Sequence, residues 1–84
     1  MARFLALHSL PGMSEEQAQQ ILDTAWAMSG VELQTTYADF DTGRAVCIWQ
    51  ADSAADVEAA LEELEVPFEE LTEVVEYARQ AERA

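Results

Sequence analysis

The chain has no lysine. Four arginines stand against 17 acidic residues, giving a formal charge of −13 over 84 residues. Nucleic acids and anionic membranes both demand cationic surface, so neither is expected as a partner. A single cysteine, Cys47, excludes an internal disulfide, and no run of about 18 apolar residues is present to span a bilayer. There is no phosphate-cradling glycine loop, no pair of cysteines two residues apart and no serine, histidine and acid arrangement, so nucleotide binding, dithiol redox and triad hydrolysis all lack their residues. The only histidine is His8, which confines proton transfer by imidazole near neutral pH to one place. No catalytic residue set emerges from these counts. The opening MARFLALH is a short apolar stretch with no small-residue cleavage site after it, so it reads as a strand and not a signal peptide, and the expected location is cytoplasmic.

What is present is a globular pattern. Half of the residues are hydrophobic and strongly periodic, which sets the chain apart from charged, disordered sequences. Residues 1–84 form one domain, with a core over about 3–76 and a polar tail at 77–84 whose composition allows helix. A chain this short buries only about 60 to 65% of its unfolded surface, so the core is thin. RFLALHS at 3–9 reads as a strand closed by Leu10-Pro11-Gly12. Ser14 and Gln17 have capping-box spacing, and Ala18, Ile21, Leu22, Ala25 and Met28 follow at helical intervals until Gly30. VELQTTYADF and AVCIWQ are strands joined through Asp41-Thr42-Gly43-Arg44 into a hairpin. Asp52 or Ser53 caps a second helix with Val57, Ala60, Leu61 and Leu64 inward, ended by Val66-Pro67. LTEVVEY at 71–77 reads as a fourth strand. The order predicts an α+β ferredoxin-like βαββαβ sandwich, a four-stranded antiparallel sheet with two helices on one face.

Alternation along the strands separates the faces. A turn at 41–44 pairs Phe40 with Ala45, Ala38 with Cys47 and Thr36 with Trp49, and partners directly opposite share a face. Val31, Leu33, Tyr37, Val46 and Ile48 are then expected under the helices together with Leu5 and Leu7. Glu32, Gln34, Thr36, Ala38, Cys47 and Trp49 are expected on the open side with Phe4, Ala6 and His8. An open face carrying Phe4, Ala6, Cys47 and Trp49 is too apolar for water, so a homodimer through that face is expected.

Several stretches together resemble a known family: FLALH at 4–8, Gly30-Val31, YADFDTG at 37–43, VCI at 46–48, ADSAADV after it, and Val66-Pro67 before the last strand. The resemblance is to small bacterial and archaeal domains of unknown function whose described member is a nickel-binding, ferredoxin-like homodimer, and it covers about residues 3–76. It implies that fold, a homodimer, and nickel or another transition metal as a cofactor. His8, Tyr37, Asp39, Gly43 and Cys47 match the family's pattern. Gln19, Leu61 and Val66 stand where further histidines are common.

Imidazole and thiolate are suitable donors for nickel, zinc or copper, and His8, Cys47 and Glu32 are the candidate metal ligands, Glu32 or a residue of a second subunit completing the set. Two other readings stand beside this one. In the first, His8 is a hydrogen-bonded interface residue and Cys47 a small buried hydrophobe, in a structural or interaction dimer without ligand. In the second, a pocket beside His8 serves a small-molecule isomerase or cyclase with His8 as general acid or base. Trp26 reads as helix-edge packing, Met13 and Met28 as core filling, and the acidic 62–71 segment as a solvated turn.

Overall fold

A computed structural model describes residues 1–79. Its elements are β1 (Ala2–Ser9), α1 (Glu15–Trp26), β2 (Val31–Asp39), β3 (Arg44–Ala51), α2 (Ala54–Glu63) and β4 (Glu70–Val74). The sheet runs β2-β3-β1-β4 with every neighbouring pair antiparallel, which is the ferredoxin-like α+β sandwich. No helix among the described residues is long and apolar enough to cross a membrane.

Local chemistry explains the boundaries. At α1, Ser14 Oγ accepts from the Gln17 backbone N–H while Gln17 Oε1 accepts from the Ser14 N–H, a complete capping box. Ser53, and not Asp52, caps α2 through the Asp56 N–H. Helix α2 ends in a Schellman motif, in which Val66 N–H donates to Leu61 C=O and Glu65 N–H to Glu62 C=O. Glu65 takes the left-handed conformation of that motif, φ 59°. Strand β4 stops at Val74, short of the expected Tyr77. The polar tail has no regular structure through Arg79, and its remainder lies outside the described residues.

The core lies between sheet and helices. Phe4, Ala6, Leu33, Trp49 and Ala51 rise from the sheet to meet Ala25, Val57, Ala60 and Leu61 from the helices, with Val66 closing one end. Trp26 is 54% exposed at the helix edge, as its place in the stripe suggests.

This arrangement reverses the faces expected from alternation. Phe4, Ala6, His8 and Trp49 are buried beneath the helices with Cys47 beside them, whereas Leu5, Leu7, Val46 and Ile48 are only half-buried, on the open face. The cause is a β-bulge between Leu33 and Thr35. Val31 and Leu33 do face the helices, but the extra residue inverts the alternation beyond Gln34, sending Tyr37 to the open side. The hairpin turn keeps its four residues but sits one position earlier, at 40–43, with Asp39 opposite Arg44, Ala38 opposite Ala45 and Thr36 opposite Cys47.

Candidate functional site

The site grows from the register of β1 against β3. Ala6 faces Cys47 and His8 faces Ala45, so His8 and Cys47 are diagonal neighbours on the covered face, with Trp49 one further step along β3. Above them, α1 presents Ala18, Leu22 and Ala25. Alanines at 18, 38 and 45 face one another across the layers, where larger side chains would close the space. The result is a cavity of about 410 Å³ between sheet and helices. Its floor is made by buried residues including His8, Leu33, Trp49 and Leu61, and exposed Gln19, Asp39 and Arg44 border its mouth.

His8 is 2% exposed, and its Nδ1 lies 2.9 Å from the carbonyl oxygen of Pro67. A carbonyl only accepts, so Nδ1 carries the proton and donates. In the neutral ring this leaves a lone pair on Nε2, which is buried and has no hydrogen-bond partner. The loop that supplies the carbonyl is held by the Schellman turn on one side and, on the other, by Glu69 N–H donating to Leu7 C=O at 2.7 Å. Trp49 is 1% exposed, and its indole Nε1–H is likewise buried without a partner. Leaving either group unpaired costs about 1–3 kcal/mol, and both belong to residues that line the cavity.

Cys47 Sγ accepts from Thr36 Oγ1 at 3.4 Å. Burial pushes its thiol pKa up, an effect that the Thr36 hydrogen bond opposes. Glu32 pairs with Gln50 and points from the opposite face of the sheet, so the three residues expected as ligands are not gathered together. His8 and Cys47 share the cavity, and Glu32 stands apart from it. Among the described residues, no group of three or more His, Cys, Asp or Glu side chains is placed to hold a metal ion. The pocket that a small-molecule reading asks for beside His8 is present.

Two participants were not legible as such. The Pro67 carbonyl is a backbone group with no signature in the side-chain pattern. Trp49 was visible as an unusual strand residue, but the bulge concealed that its ring lies under the helices.

The family model for nickel responsive protein SCO4226-like proteins matches residues 4–74. Among solved structures, the crystal structure of SCO4226 from Streptomyces coelicolor A3(2) superposes with a TM-score of 0.82 at 25% identity, covering 92% of this chain and 100% of that one. No curated protein matches the chain significantly.

Proposed function

The chain belongs to the nickel responsive SCO4226-like family, and from that premise we propose that it is a homodimeric, metal-responsive domain in which His8 Nε2 is the principal ligand to a transition-metal ion such as nickel. Cys47 Sγ, on the same cavity wall, is the second donor. The observation that carries this reading is the Nδ1–H hydrogen bond of His8 to Pro67 O. Metal-binding histidines are held in just this way, with one ring nitrogen donating to a carbonyl so that the other presents its lone pair. Soft thiolate and imidazole donors suit nickel, copper and zinc.

Two protein donors leave coordination positions to be completed by water, a small anion or a bound organic molecule. The Cys47 thiol must give up its proton to bind, so metal uptake releases protons and strengthens as pH rises. Glu32 has no part in this site. The half-buried apolar residues of the open sheet face supply the dimer surface.

Isothermal titration with nickel tests the proposal. The parent protein is expected to bind about one ion per chain, His8→Ala to lose saturable binding, and Cys47→Ser to bind at least about tenfold more weakly, the equivalent of ~1.4 kcal/mol. Absence of saturable binding by the parent overturns it.

A further inference from the structure

The metal reading uses Nε2 of His8 and Sγ of Cys47, and leaves most of the cavity and the Trp49 indole unexplained. A volume of about 410 Å³ is far more than an ion needs and lies in the range of small-molecule sites. Its floor is apolar, built on Leu22, Ala25, Leu33 and Leu61, and no carboxylate, guanidinium or ammonium group is buried there. A charged occupant would lose its hydration without a counter-charge, so the floor selects a neutral molecule. Two polar atoms interrupt it: the Nε1–H donor of Trp49 and, in the neutral ring, the Nε2 acceptor of His8. The two residues enter the sheet at separate places, Trp49 opposite Phe4 and His8 four residues further along β1. The complement pairs an acceptor oxygen for the indole N–H with a hydroxyl for the imidazole nitrogen on an otherwise apolar frame.

We propose that this cavity is a binding site for a small, neutral, largely apolar molecule bearing a carbonyl that accepts from Trp49 Nε1–H and a hydroxyl that donates to His8 Nε2, hydroxylated aryl ketones being the simplest such class. The proposal shares the cavity with the metal reading but stands on the Trp49 donor, which that reading does not use. Because a metal at His8 would occupy the lone pair that the hydroxyl needs, the two occupants compete at one end of the site only.

The test uses metal-free, isotopically labelled protein and follows the two indole N–H signals by nitrogen–proton correlation spectroscopy, with Trp49→Phe assigning them and exposed Trp26 as an internal control. Para-hydroxyacetophenone is expected to shift the Trp49 signal saturably and leave Trp26 unmoved. Acetophenone lacks the hydroxyl and para-ethylphenol lacks the carbonyl, and each is expected to bind about five- to tenfold more weakly, the effect of one buried hydrogen bond. Ethylbenzene, which lacks both, is expected to bind more weakly again. His8→Phe should abolish the advantage of the hydroxyl while keeping that of the carbonyl. Ala18→Phe, which fills the space from α1, should abolish the Trp49 shift. No saturable shift of Trp49 up to millimolar probe, equal affinity for all four probes, or an undiminished shift in Ala18→Phe overturns the proposal. Nickel titration of the same sample separates the readings: a protein that binds the hydroxyketone but no nickel refutes only the metal site, and the converse refutes only this one.

Discussion

Cys47 shows how a single side chain couples burial to pH. Its thiol is raised by desolvation, so the unfolded chain, with an ordinary thiol pKa of about 8.5, loses the proton first. The native state binds more protons in that window, and stability therefore falls with rising pH. The contribution is intact below about pH 8.5 and is lost as pH climbs toward the folded-state value above it. Thermal melts are expected to show the parent declining more steeply than Cys47→Ala above that pH, and parallel curves would refute the assignment. Gly43 offers a steric counterpart. At φ 80°, a Cβ there would lie 2.6 Å from Pro11 Cα, whereas Gly12, at φ 84°, has nothing within 4 Å. Gly43→Ala should cost about 2–3 kcal/mol, combining left-handed strain with displaced backbone, and Gly12→Ala only ~1 kcal/mol, as read from denaturant unfolding. At this scale the sequence revealed that His8, Cys47 and Trp49 share a face. It did not reveal which face, because both sides of β1 and β3 are apolar: Phe4 and Trp49 on one, Leu5 and Ile48 on the other.

Elements were more legible than their registry. Helix starts followed from Ser14 with Gln17 and from Ser53, since caps are local side-chain chemistry, and the order of six elements followed from periodicity. The bulge at Gln34 left no comparable trace, because Val31, Leu33, Tyr37, Val46 and Ile48 form an equally plausible unbroken alternation. Val66-Pro67 marked the end of α2, but the form of its cap left no trace, since the left-handed position that usually holds glycine is here Glu65. That residue is exposed and sits among other acids, so its side chain offers nothing evident in return for the conformation. Glu65→Gly is expected to stabilise the protein by about 0.5–1 kcal/mol, removing a left-handed penalty of ~1–2 kcal/mol at some entropic cost in the unfolded chain. Chemical denaturation measures it. The same turn delivers the Pro67 carbonyl to His8, so Glu65→Pro, which cannot take a positive φ, should both destabilise the fold and loosen His8.

For the whole molecule, the reversed faces relocate the proposed dimer surface without removing its rationale. Leu5, Leu7, Val46 and Ile48 form the middle of a sheet face that carries no helix, with Tyr37 at 69% exposure beside them. Burial of this patch against its own copy about a twofold axis would remove apolar surface from water, and the centre of the patch contains no charge to desolvate. The opposing term is global, since each chain carries −13. Like-charge repulsion between two such chains is screened by salt, whereas apolar burial is not, so dimer formation should tighten as ionic strength rises. Sedimentation equilibrium at micromolar concentration is expected to give twice the 9.3 kDa chain mass, with the monomer fraction falling from low to physiological salt. Ile48→Glu places a charge at the centre of the patch while leaving the helix-facing core untouched, so it should sediment as a monomer with an unchanged circular dichroism spectrum. A parent protein that stays at 9.3 kDa across that salt range would leave the open face without its proposed partner and confine any ligand chemistry to the cavity of a single chain.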